Sequence, residues 1–121
     1  MIKNNDEKDE YKAMMKGMIS QLEKRNIKVI QASLEGYEQP EIIEKRKPDI
    51  IGIDNDGKRI IVDVEADKTK EMMDIKERFI EFSQADGEFW IEVPESYSKK
   101  LLEKVKEWRV PVDKWFVGQG L

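Results

Sequence analysis

Three acidic residues stand where a solvated surface has no need of them: Asp49 directly after Pro48, and Asp63 and Glu65 inside the aliphatic run Ile60-Ile61-Val62-Asp63-Val64-Glu65. Side chains of a strand alternate between faces, so Asp63 and Glu65 point the same way, about 6 to 7 Å apart. Whether Asp49 joins them depends on the turn at Asn55-Asp56-Gly57. A two-residue Asp56-Gly57 loop sets Asp49 against Val64 and separates the acids. A three-residue loop with Gly57 in the left-handed region sets Asp49 opposite Asp63. The second register is expected, because glycine holds the last loop position and the acids then converge.

Two carboxylates about 5 Å apart repel by roughly 1 to 3 kcal/mol, so a convergent set needs compensation, and a divalent cation supplies it directly. Ligands that are all oxygen favour a hard ion, Mg²⁺ or Mn²⁺. Such an ion activates water and offsets charge on a phosphoryl oxygen, which makes phosphodiester hydrolysis the natural reaction. Lys45, Arg46 and Lys47 before Pro48, with Lys58 and Arg59 at the hairpin, are candidate phosphate contacts; a solvated basic face paired with neighbouring glutamates is the competing explanation. The chain has neither cysteine nor histidine, which excludes disulfides, thiolate nucleophiles, imidazole bases and His- or Cys-ligated metals.

The 121 residues suit one domain, and charged residues at 40% against 39% hydrophobic give a modest core under an ionic surface. Lys plus Arg total 22 against 26 Asp plus Glu, a net charge of -4 that argues against a general nucleic-acid-coating protein. No aliphatic run is long enough for a bilayer and no apolar leader is evident, so a cytoplasmic setting is expected, with no membrane partner.

Residues 1–8 read as a flexible polar tail and 9–121 as a single domain. Tyr11, Met14, Met15, Met18, Ile19 and Leu22 pattern a helix over 9–25, which Asn26 ends. Strands follow at 27–32, 49–54 and 58–66, the last two a hairpin, with one helical turn expected around Ile42 in the connection 33–47. Thr69 is placed to cap a second helix carrying Met72, Met73, Ile75, Lys76, Phe79, Ile80 and Phe82, ended by Asp86-Gly87. A strand at 89–93, a helix from Tyr97 to Trp108 and an edge strand at 114–117 complete the order αβββαβα(β). An α/β domain with a central mixed sheet flanked by helices follows. The methionines at helical spacing, Met73 included, and Trp90, Trp108 and Trp115 are assigned to packing.

Pro48-Asp49 followed by the strand with Asp63-Val64-Glu65, in the order αβββαβ, resembles the PD-(D/E)XK nuclease superfamily. The resemblance covers about 9–117. It implies a restriction-endonuclease-like fold, metal binding by Asp49, Asp63 and the backbone carbonyl of Val64, and DNA as substrate. Glu65 stands where the family usually has lysine, so the assisting cation must come from elsewhere. Lys68 and Lys76 are the candidates, with Lys68 placed among the catalytic residues. The family's first-helix glutamate corresponds to Glu10 or Glu23. A homodimer or protein partner is expected to help a protomer this small hold a duplex. The alternative is a catalytically inactive nuclease-fold protein that serves as a binding or assembly module.

Overall fold

Pro48 precedes and Gly57 turns the hairpin at the centre of the sheet, whose two strands are joined by four consecutive residue pairs. The computed structural model describes residues 2–118, with side chains described from Asp9 to Gly118. Helix α1 spans Ile2–Lys24, strand β1 Lys28–Ala32, β2 Ile50–Ile53, β3 Arg59–Val64, helix α2 Met72–Gln84, β4 Glu88–Pro94, α3 Glu95–Trp108 and β5 Lys114–Gly118. The sheet order is β1-β2-β3-β4-β5. β1, β2 and β3 run antiparallel, and β4 and β5 add in parallel through α2 and α3. The mixed sheet and the complete αβββαβαβ order agree with the pattern in the sequence. No described helix is long and apolar enough to cross a membrane.

Alternation along the strands divides the core into two layers. Ile50, Ile60, Val62, Val64 and Trp90 pack with Met14, Met15, Met18 and Leu22 of α1 on one face. Ile51, Ile61, Phe89, Ile91 and Val93 meet Ile75, Phe79 and Phe82 of α2 and Tyr97, Leu101 and Val105 of α3 on the other. β3 is buried on both faces, so polar side chains on it demand partners inside the protein.

The hairpin register is the one that gathers the acids. Ile50 faces Val62 and Ile53 faces Arg59. Asp54 N–H donates to the Lys58 carbonyl at 3.0 Å, Asp54 Oδ1 accepts from the N–H groups of Asp56 and Lys58, and Gly57 takes a φ of 81°. The pairing stops at Ile50 with Val62; just beyond it the Asp49 N–H reaches the Val62 carbonyl, so Asp49 lies beside the end of β3 rather than in a ladder pair with Asp63.

Several local expectations are corrected. α1 starts at Ile2 rather than near Asp9, and the expectation of a flexible tail falls on residues whose side chains lie outside the described set. The connection 33–47 has no helical turn near Ile42: Ile43 and Arg46 exchange backbone hydrogen bonds of 2.7 and 3.0 Å across a tight turn, with Glu44 at a φ of 58°. Arg46, bound along α2, holds the segment in that form. Thr69 does not cap α2, because both its N–H and its hydroxyl donate to Asp67 in a preceding turn; Glu71 holds the N-cap position without a side-chain bond. Met73 is 61% exposed and so is not a core residue, whereas Trp90 is buried at 2%.

Gly87 connects α2 to β4 at a φ of 120°, and a Cβ there would collide with the carbonyl oxygen of Arg59. At Gly57 a Cβ would meet nothing within 4 Å. In chemical denaturation, Gly57→Ala should therefore cost about 1 kcal/mol, the left-handed penalty alone. Gly87→Ala should cost about 3 kcal/mol or more, since strain and a backbone clash add. Equal costs would contradict the packing of this turn.

Candidate functional site

The three acids gather where β2 begins and β3 ends. Asp49 is 7% exposed, Asp63 0% and Glu65 0%. Asp49 lies one residue before β2, its N–H donating to the Val62 carbonyl at 3.1 Å and its carbonyl accepting from Ser33 N–H at 2.8 Å. Its side chain turns along the end of β3. There Oδ2 accepts the Val64 N–H at 2.6 Å, and Oδ1 accepts the Tyr11 hydroxyl from α1. Val64, expected to contribute its carbonyl, thus meets Asp49 through its N–H.

Asp63 and Glu65 face α2, as alternation requires, and Arg78 reaches both from that helix. Its Nε lies 2.9 Å from Asp63 Oδ1 and 3.3 Å from Glu65 Oε2. Lys70 Nζ lies 3.6 Å from Glu65 Oε1. Arg78 stands one turn before Phe82 and rests over its ring, so the apolar face of α2 fixes where the guanidinium points. Asp63 Oδ2 and both oxygens of Glu65 are buried without a well-formed hydrogen bond from another described residue, although the Glu65 oxygens lie in the ion pairs with Lys70 and Arg78 and its carboxyl sits against Asp63.

Charge is consequently concentrated and unevenly compensated. Burial, then repulsion from Asp63, pushes the Asp49 carboxyl up to about 7 against the opposing bonds from Tyr11 and Val64. Burial and Asp63 also hold Glu65 well above the ordinary range. Asp63 is burdened by burial as well, yet hydrogen bonding from Glu65 and the charges of Arg78 and Lys70 pull it below its ordinary value. Of the pair, Asp63 is the acid whose ionised form is favoured and Glu65 the one whose protonated form is favoured. Burial beside Asp49 raises the Tyr11 hydroxyl, and Asp63 raises Arg78.

The cations expected from sequence lie elsewhere. Lys68 is exposed and Lys76 half-buried, and neither pairs with an acid among the described residues. Arg46 is held by Asp74, Glu77 and Glu81 at 2.6 to 3.1 Å, Lys58 by Glu88 at 3.4 Å and Arg59 by Glu41 at 3.0 Å. Lys47 donates to Gln39, and Lys45 is exposed. Of the first-helix candidates, Glu23 is exposed and Glu10 half-buried; Tyr11 is the α1 residue that touches the site. As the side chains stand, no three of the described acidic residues form a ready metal-ligand group, since Asp49 is turned onto Val64 and Tyr11.

No family model, curated protein or solved structure matches this chain. The site is therefore read from its own chemistry.

A fourth acid went unnoticed in the sequence. Glu92 of β4 is 6% exposed on the α1 face, and burial, then Asp49, pushes its carboxyl up to about 8. An acid raised in this way has no penalty below the unfolded glutamate pKa. It destabilises the fold progressively as pH rises toward 8. Glu92→Gln should therefore raise the unfolding free energy by about 1 to 2 kcal/mol at pH 7.5, after allowing for the buried amide, and by much less at pH 4.5. Denaturant titrations at the two pH values measure this, and a gain independent of pH would contradict the assigned burial penalty.

Proposed function

We propose that the protein is a restriction-endonuclease-like phosphodiesterase that hydrolyses DNA with Mg²⁺ or Mn²⁺. The observation that carries this reading is the hairpin register with its three-residue loop: pairing runs up to Ile50 with Val62, and just beyond it Asp49 Oδ2 accepts the Val64 N–H, which leaves Asp49 close to Asp63 at the end of β3. Support from fit comes from the donor set: oxygens only, with buried oxygens of Asp63 and Glu65 that lack a well-formed hydrogen bond from another described residue. Asp63 and Asp49 are the residues to hold the ion, the latter by exchanging its bond to Tyr11. When bound, such an ion lowers the pKa of a water and offsets charge on a phosphoryl oxygen.

The remaining roles belong to the chain. Arg78, presented by α2 beside Asp63, takes the place that the missing lysine leaves open and steadies negative charge on the phosphate. Glu65, in its ionised form, would accept a proton of the attacking water as the new P–O bond forms and the ester P–O bond breaks, and the leaving oxygen would take up a proton from solvent. Lys70, already within 3.6 Å of Glu65, keeps that acid in place. A homodimer or protein partner would supply the grip on a duplex that a net charge of -4 denies to one protomer.

A second reading, a nuclease-fold binding module without catalysis, draws on a specific observation: Arg78 already neutralises Asp63 and Glu65, and Arg46, Lys58 and Arg59 are all paired with acids. Thermal unfolding and cleavage of duplex, flapped and branched DNA, each with and without Mn²⁺, separate the two. The nuclease reading expects Mn²⁺ to raise the melting temperature by several degrees and to permit cleavage, with both effects absent in Asp63→Asn. Neither shift nor cleavage in the folded wild-type protein favours the module.

A further inference from the structure

On the α1 side of the sheet, away from Arg78, a cleft of about 440 Å³ opens between α1 and β5, lined by Met14, Gly17, Gln21, Arg25, Glu92 and Phe116 among others. That volume falls within the range of small-molecule sites. Three features make it more than a surface furrow. Glu92, 6% exposed, has no hydrogen-bond or ion-pair partner for its carboxylate among the described residues. Gly118 borders Glu92 Oε2 so closely that a Cβ there would lie 3.1 Å from it, so only glycine leaves that oxygen uncrowded. Arg25 makes no ion pair among the described residues; its guanidinium carbon lies 5.2 Å from the centroid of Phe116 and 6.0 Å from that of Trp90, a flat cationic wall.

A buried carboxyl whose Oε1 has no partner calls for a donor, and an unpaired guanidinium backed by aromatic rings calls for an anion and a planar group. One ligand answers both when it carries an amino group at one end and a phosphate at the other, with a flat ring between. Carboxylates accept from the exocyclic amine of cytosine in this manner. We propose that this cleft binds a nucleoside monophosphate whose base bears an exocyclic amine, the amine donating to Glu92 and the phosphate meeting Arg25. The site does not depend on the metal reading above, and it uses none of Asp49, Asp63, Glu65 or Arg78.

Titration calorimetry of the full chain with CMP, UMP and inorganic phosphate at about pH 9, where Glu92 is ionised, and in the absence of divalent metal, tests it. CMP should bind about tenfold or more tightly than UMP, which presents a carbonyl to Glu92 in place of the amine. Glu92→Gln, whose amide both accepts and donates, should erase that preference. Gly17 supplies a control independent of folding. A Cβ there meets nothing within 4 Å, and leucine is a better helix former than glycine, so Gly17→Leu should keep or raise the melting temperature while blocking CMP. Equal binding of CMP and UMP, phosphate binding as tight as CMP, or CMP binding undiminished in Gly17→Leu would each overturn the assignment.

Discussion

Carboxylates inside a sheet are costly unless something answers their charge, and the centre of this fold is organised around that requirement. β3 is covered by helices on both faces, yet it ends in Asp63 and Glu65, with Asp49 delivered alongside by the neighbouring strand. They are met from both sides: Asp49 by the hydroxyl of α1 and a backbone N–H, Asp63 and Glu65 together by the guanidinium of α2, and Glu65 again by Lys70. Helices from opposite faces of the sheet thus converge on one end of it. The same contacts form the site on which the proposed phosphodiesterase reading rests.

Backbone geometry, more than side-chain identity, makes that convergence. A loop one residue shorter would have placed Asp49 against Val64 and turned the acids apart. Gly57 in the left-handed region, with Asp54 accepting two N–H groups, holds the longer loop and therefore the register. Further along, the parallel addition of β4 through α2 is what carries Arg78 over the acids, since Ile75, Phe79 and Phe82 must face the sheet and leave Arg78 at the flank.

The parts legible in the sequence were those governed by period and turn chemistry. Alternation in 58–66, helical spacing in α1 and α3, and Asn26 and Gly57 in left-handed conformations gave the element order and the pairing of β2 with β3. Tertiary partners were not legible. Arg78 and Lys70 look in sequence like any lysine or arginine of a charged chain, and Lys68, nearer in sequence to strand β3, proved exposed because the segment after Ala66 leaves the site in an Asp67–Thr69 turn. Tyr11 read as one more apolar member of a helix stripe; only the crossing of α1 over the end of β3 gives its hydroxyl a partner. The basic residues before Pro48 were visible as charges, but the acids that occupy Arg46 sit about 30 residues away on α2, beyond the reach of local pattern. Glu92 was hidden for the opposite reason, since a single acid in a strand reads as half-exposed until β5 closes over it.

Paramagnetic broadening of backbone amide resonances by substoichiometric Mn²⁺ reads whether the oxygens at the end of β3 take a hard cation together, as proposed. Signal should be lost around residues 49 and 63–65 and out to Arg78, while the acids of the 54–56 turn remain sharp. Broadening confined to that turn or scattered over surface glutamates, with residues 63–65 untouched, would contradict that proposal.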